Sequence, residues 1–197
     1  MCAPEFDAEK LRPAEFITKP DPRNTLIVRI DTVAGTSRPL TAADLHEMVS
    51  CLSLNATVPE KVAQHFETVK NVFLYSWFIY RFQPVAELQS LACLEFALRE
   101  RFANEIITGT IDKRNAMLRG LLTFAVRNGA IKSEGFSRWS EASDPEGKFA
   151  ESLATTLPEI RNNWAHGSDE LLPSAQTIIA LVAEIINQLF PPPSLTQ

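Results

Sequence analysis

The sequence has little glycine and little tyrosine, with 7 and 2 residues respectively in a chain of 197. Leucine, alanine, isoleucine and glutamate are frequent instead, and this composition favours α-helices. Cysteine is scarce as well: Cys2, Cys51 and Cys93 are scattered, odd in number and without CxxC spacing. This pattern argues against a disulfide framework and a zinc site, and it favours reduced thiols in the cytosol.

Long apolar runs and targeting signals are also missing. Residues 1–10 are acidic and lack an apolar core, so they do not resemble a signal peptide. The longest apolar run, residues 72–80, is interrupted by Ser76 and is far too short to span a bilayer. We therefore expect a cytoplasmic protein that makes no membrane contact.

Familiar catalytic and metal-binding motifs do not occur. The sequence contains no GxGxxG, P-loop, GxSxG or HExxH pattern. His46 and His65 have no cysteine or histidine three or four residues away, so neither is expected to bind a metal. The sequence predicts no cofactor and no metal.

Negative charge predominates, but it is unevenly distributed. The net charge of −5 argues against bulk, sequence-blind binding of nucleic acid. Residues 99–138 nevertheless carry eight basic and four acidic side chains, whereas the segments on both sides are net negative. This middle segment is the part of the chain suited to a polyanion; alternatively, its cations lie on solvated helix faces. Arg114 and Arg119 are its candidate substrate-binding residues.

A chain of this length can bury a full core, and the apolar spacing predicts an all-α bundle with a short extended segment near the N-terminus. Residues 1–57 are predicted to form an extension with an irregular, proline-containing tail, one strand and one helix. The alternation at residues 26–31 predicts the strand, which needs a partner from this chain or from another. The pattern from Thr41 to Asp44 predicts a helix N-terminus with a capping box.

Residues 58–197 are predicted to form the helical domain. The first of its helices is marked by apolar residues from Val62 to Tyr80, and Pro84 begins the next. A third covers residues 117–125 and ends near Asn128 and Gly129, and residues 132–147 are predicted to be a loop. Further helices are predicted from Phe149, from Pro158 and over residues 178–189, where the three prolines at 191–193 end the last one.

The segment LPEIRNNWAHG, residues 157–167, combines an arginine, two asparagines and a histidine. Arg161 offers a fork of donors suited to phosphate, and His166 can exchange a proton near neutral pH. Together they are the minimum equipment for breaking a phosphodiester without a metal. Consecutive asparagines followed by Trp164 are poor choices for a short helix. Something other than helix stability therefore favours these residues.

Helical geometry limits how these side chains can meet. Residues five apart lie about 140° apart around a helix, so Arg161 and His166 do not share a face, whereas Asn162 and His166 do. Gly167 allows the chain to leave the helix, which predicts a partly exposed imidazole. The structural alternative is that His166 caps the helix C-terminus and Arg161 is a surface charge, while Trp164 is a core contact.

RNNWAHG at residues 161–167 resembles the signature of HEPN domains, an arginine followed by a polar residue and then a histidine four to six positions after the arginine. The flanking apolar helices match this layout as well, and the resemblance covers roughly residues 58–190. It implies a four-helix core that dimerises and brings two Arg/His segments to a shared cleft.

The same resemblance implies a metal-independent endoribonuclease that leaves a 2′,3′-cyclic phosphate, in stress response or defence. His166 would act on the 2′-hydroxyl or on the leaving oxygen, and Arg161 would stabilise the scissile phosphate. Asn162 would fix the imidazole or hold the phosphate, completing the catalytic set, and Asn163 would join Arg114 and Arg119 in substrate binding.

The sequence differs from related toxins at one position, and two alternative functions are left open. Related toxins carry a tyrosine four residues after the histidine, where this chain has Glu170, so a toxin modified on that tyrosine is not expected. The chain could instead be a non-catalytic HEPN-like module that binds a nucleotide or dimerises. A third hypothesis is a helical adaptor that binds a partner through the strand in residues 24–33.

Overall fold

The computed structural model describes residues 6–144, 146–167, 169 and 171–193. In these residues seven α-helices and one two-stranded sheet form the regular structure, so the chain is mainly helical, as predicted. Within the same ranges, no helix is long and apolar enough to cross a membrane. The elements are β1 (Val28–Asp31), β2 (Thr36–Pro39), α1 (Ala42–Ser50), α2 (Glu60–Tyr75), α3 (Phe82–Arg101), α4 (Ala103–Ile107), α5 (Leu118–Arg127), α6 (Phe149–Ala165) and α7 (Ala175–Leu189).

The predicted strand forms a hairpin with a second strand of the same chain. β1 pairs antiparallel with β2, with Val28 opposite Pro39 and Asp31 opposite Thr36. Leu26, predicted to be part of the strand, lies instead in a 3-10 turn that ends at that residue. The hairpin leads directly into α1, whose predicted capping box between Thr41 and Asp44 is present.

The helix predicted to reach Tyr80 ends earlier, at Tyr75, because the N-terminal segment takes over the backbone groups that follow. The Asn24 amide donates to the carbonyls of Ser76 and Trp77, in each case at 2.8 Å. The buried carboxylate of Asp21 accepts from the backbone N–H of Tyr80 at 3.0 Å. These tertiary hydrogen bonds satisfy the turn between α2 and α3 without further helix.

Pro158 does not begin a separate helix, as the sequence predicted; it lies inside the continuous helix α6. Proline in a helix interior removes one backbone hydrogen bond and crowds the carbonyl four residues earlier. Here both Leu157 and Pro158 are buried, and α6 packs against α3 and α5. Packing of the buried face therefore outweighs the local cost of the proline.

Helix α3 lies at the centre of the bundle and contacts α2, α5, α6 and α7. The predicted ends of α5 and α7 are confirmed, since Gly129 has a φ of +68° and α7 ends just before Pro191. The predicted loop at residues 132–147 contains only a short 3-10 turn among its described residues. A domain boundary at residue 57 stays a prediction, but α1 packs on α2 and α7 across it.

Candidate functional site

The Arg/His segment forms the C-terminal end of α6. His166 is the residue after the last helical turn, and its backbone N–H donates to the carbonyl of Asn162 at 3.0 Å. Gly167 has a φ of +86°, a left-handed conformation that glycine adopts without steric cost. The side chain of His166 is exposed. The predicted helix end with an accessible imidazole is therefore confirmed.

Trp164 fixes this end of α6 to the centre of the bundle. Its indole Nε1 donates to a carboxylate oxygen of Glu87 on α3 at 2.7 Å. Glu87 is only 2% exposed, and its other oxygen accepts from the hydroxyl of Ser174, immediately before α7. One buried carboxylate thus connects α3, α6 and the start of α7.

Arg161 extends toward α3 and is half-buried. It lines a groove of about 300 Å³ with Glu95, Phe96 and Arg99. Arg99 is paired with Glu95 at 3.0 Å, as the one-turn spacing on α3 allows. The groove therefore contains two guanidinium groups and one carboxylate, an environment suited to an anion.

Arg161 and His166 have different surroundings within one chain. The Arg161 guanidinium donates to the side-chain oxygen of Asn162 at 3.4 Å. No hydrogen bond joins the His166 ring to Arg161 or Asn162, although all three belong to the described residues. Asn162, Asn163 and His166 are exposed, whereas Arg161 packs beside α3. Arg161 thus lies in the groove beside α3 while His166 is exposed, an arrangement consistent with the angle between positions five apart on a helix.

Arg114 and Arg119 lie in a different cleft from Arg161. They line a space of about 560 Å³ together with Arg127, Thr123 and Phe124. Arg119 reaches across the surface to Glu159 on α6, at 3.3 Å, so it connects this cleft with the turn preceding Arg161. The structure therefore groups two of the predicted substrate-binding residues but separates them from the catalytic set.

From the sequence, no site role was assigned to two residues that the structure brings to the fore, Glu87 and Arg127. Glu87 shares the buried side of α3 with Leu91, Leu94 and Leu98. Its spacing from these leucines is the sequence feature that could have indicated a buried carboxylate. Arg127 could have been found from its spacing, since Thr123 and Arg127 occupy the same side of α5 one turn apart.

Among the residues that the structure describes, His46 and His65 belong to no metal-binding cluster. His65 is half-buried and packs edge-on against Phe96, with 5.7 Å between ring centroids. In the described part of the chain, no group of three histidine, cysteine, aspartate or glutamate side chains is arranged to hold an ion.

No protein-family model, curated protein or solved structure matches the chain. The resemblance of residues 161–167 to HEPN domains stays a prediction.

Proposed function

We propose that this chain is a HEPN-like endoribonuclease that cleaves RNA without a metal, with Arg161, Asn162 and His166 at its catalytic centre. One observation carries the proposal. The RNNWAHG segment ends a helix at the surface, with an exposed imidazole and a guanidinium beside an arginine-containing groove. The end of α6 thus provides one side chain that can transfer a proton, His166, and one that can bind an anion, Arg161.

In this mechanism the imidazole of His166 accepts the proton of the ribose 2′-hydroxyl. The 2′ oxygen then attacks phosphorus, the bond from phosphorus to the 5′ oxygen breaks, and that oxygen leaves with a proton returned by an imidazolium. Such proton transfer accounts for about 10²–10⁴-fold in rate. Arg161 stabilises the charge that develops on the phosphate, a contribution of about 10²–10³-fold. The product carries a 2′,3′-cyclic phosphate.

A second copy of the chain completes the centre in this proposal. Within one chain Arg161 faces α3, while His166 is exposed beyond the last turn of α6. Two such helix ends related by a two-fold axis would place the arginine of one copy beside the histidine of the other. Helices α2, α3, α6 and α7 would form the HEPN-like core, with α3 in contact with the other three.

A second candidate is a non-catalytic HEPN-like module that binds a nucleotide or pairs two copies. The hydrogen bond between the side chains of Arg161 and Asn162 favours it, because two of the predicted catalytic residues bind each other. The exposed carboxylates of Glu159 and Asp169 near the segment also oppose the approach of a polyanion. A role in stress response or defence comes from the resemblance alone.

The distinguishing experiment is incubation of the purified chain with mixed RNA in EDTA. Arg161→Ala and His166→Ala should each abolish cleavage while the helical circular dichroism is retained. Lys61→Ala and His46→Ala are controls, because both residues are exposed and lie outside the α6 segment and the basic segment 99–138. Cleavage in the controls with cyclic phosphate ends supports the nuclease. Intact RNA at high protein concentration supports the non-catalytic module.

A further inference from the structure

A cleft between residues 110–117 and helix α5 contains a concentration of positive charge outside the Arg/His segment. Arg114, Arg119 and Arg127 line it, and Asp112 is the acidic residue among its lining residues. All three arginines are exposed, and the cleft volume of about 560 Å³ is within the range of about 300–1,000 Å³ for ligand sites. The charge and the size suit a phosphate-bearing ligand.

The shape of this cleft is determined by the backbone. A Cβ on Gly120 would lie 2.0 Å from the backbone oxygen of Asn115, so only glycine lets the preceding turn pack this closely on α5. Asp112 caps that turn by accepting a hydrogen bond from the N–H of Arg114 at 2.9 Å. The cleft is therefore a fixed feature of the fold, and Arg114 is attached to its rim.

The cations of the cleft differ in how far they are already neutralised. Arg119 pairs with Glu159 at 3.3 Å. Arg114 and Arg127 form no ion pair with a carboxylate of the described residues. Because guanidinium groups bind phosphate through two donors at once, these two arginines are suited to a phosphodiester backbone.

An aromatic ring lies among these charges. Phe124 lines the cleft and packs edge-on against Phe102, with 5.2 Å between ring centroids. This contact fixes the ring in place. Arginines that follow a backbone, combined with an aromatic surface for a base, are the usual equipment of single-strand binding sites.

The cleft borders the groove that contains Arg161. A guanidinium nitrogen of Arg99 lies 3.6 Å from the sulfur of Met117, a residue of the cleft wall, while Arg99 also lines the Arg161 groove. The contact between Arg99 and Met117 therefore links the two cations of the groove, Arg99 and Arg161, with the wall of the cleft.

We infer that the cleft formed by Arg114, Arg119 and Arg127 binds the phosphates of single-stranded RNA and leads the strand toward Arg161. This inference rests on the proposed function, since it gives the path of the same RNA. It adds Arg127 and Arg99 to the RNA-binding surface. It also places binding of the strand at a site separate from the one where the phosphodiester is cleaved.

The test is fluorescence anisotropy with a labelled oligouridine of about eight nucleotides, a length suited to one single-strand site. The protein carries His166→Ala, so that the oligonucleotide stays intact. Arg114→Ala and Arg127→Ala are compared with Lys61→Ala, which removes one positive charge from an exposed position on α2, outside the basic segment. Thermal unfolding of every variant establishes that it is folded.

Removal of one arginine that neutralises a phosphate should make the slope of log affinity against log salt shallower by about 0.7. Between about 50 and 200 mM salt, the decrease in affinity should then be about 2.6-fold smaller for Arg114→Ala and for Arg127→Ala than for the parent. Lys61→Ala should retain the parental slope. Parental affinity and slope in both cleft variants would overturn the inference.

The outcome for the cleft is separate from the outcome for catalysis. Weaker binding by the cleft variants, without RNA cleavage by the unmodified chain, would support the cleft and refute the nuclease. Cleavage by the unmodified chain, with unchanged binding in the cleft variants, would refute the cleft alone.

Discussion

The indole N–H of Trp164 donates a 2.7 Å hydrogen bond to the buried carboxylate of Glu87, a residue 77 positions earlier in the sequence. Trp164 lies between Arg161 and His166, so this contact fixes the backbone from which both side chains extend. Glu87 also accepts from Ser174, which holds the start of α7. The Arg/His segment is thereby joined to the central helix of the bundle, α3, at a single carboxylate.

Removing this carboxylate should destabilise the fold. Glu87→Ala leaves the indole and the hydroxyl without their acceptor, and hydrogen bonds to a charged group contribute about 1.5–3 kcal/mol each. We expect the free energy of unfolding in urea to fall by about 3 kcal/mol, and by less for Glu87→Gln. Glu95→Gln on the same helix is the control, because its ion pair is made with the exposed Arg99 and such pairs contribute at most about 1 kcal/mol. Equal losses for Glu87→Gln and Glu95→Gln would contradict the role of Glu87.

Gly120→Ala should be destabilising, contrary to the usual effect of this exchange. In an open helix position, alanine in place of glycine stabilises by about 0.5–1 kcal/mol. Here the new Cβ would lie 2.0 Å from the backbone oxygen of Asn115, and the turn would have to move. We expect a loss of about 1–3 kcal/mol in the free energy of unfolding. An increase in stability would show that the turn accommodates the methyl group.

The contacts of the N-terminal segment should lose stability in acid. Burial opposes ionisation of Asp21, but hydrogen bonds from Arg23 and from the N–H of Tyr80 outweigh it and lower the pKa of the carboxyl. The stabilisation is therefore complete above the pKa of the unfolded chain, about 4, and is lost as the pH falls through the lower folded value.

We expect Asp21→Asn to destabilise the chain at pH 7, with a difference from the parent that shrinks as the pH falls below about 4. Urea unfolding at several pH values measures it, and the exposed Asp7, replaced by asparagine, provides the control. A difference that is constant down to the most acidic sample would refute the assignment.

The thiol of Cys93 should not react with alkylating reagents in the folded chain. Burial in α3 raises the pKa of its thiol to about 12, and only the thiolate reacts readily with alkylating reagents. In a Cys2→Ser variant, the exposed Cys51 should react under native conditions and Cys93 only in urea. The raised pKa also links stability to pH. The contribution of the neutral, buried thiol to the free energy of unfolding is complete below the ordinary thiol pKa and is lost as the pH rises toward 12. Rapid native reaction of both thiols would contradict the packing of α3.

Elements specified by neighbouring residues were the predictable ones. The capping box at Thr41, the end of α5 at Gly129 and the end of α7 before Pro191 depend on residues within a few positions. The end of α2 was not predictable, because Asp21 and Asn24, more than 50 positions earlier, take up the backbone groups of the next turn.

In α6 and in the candidate site, too, the features set by nearby residues were predictable and those set by distant residues were not. Pro158 is a local signal for a helix start, but burial against α3 and α5 outweighs it. The residues of the RNNWAHG segment and the exposed end at His166 could be recognised locally. The burial of Glu87 and the direction of Arg161 toward α3 could not, because both depend on how distant helices pack.

The most direct measurement mixes two inactive variants, Arg161→Ala and His166→Ala, under conditions that exchange subunits, and follows RNA cleavage in EDTA. If the arginine of one copy acts with the histidine of the other, each mixed dimer regains one intact pair. Random mixing should then restore about a quarter of the parental rate. A mixture as inactive as its two components, beside an active parent, would contradict a centre shared between two copies.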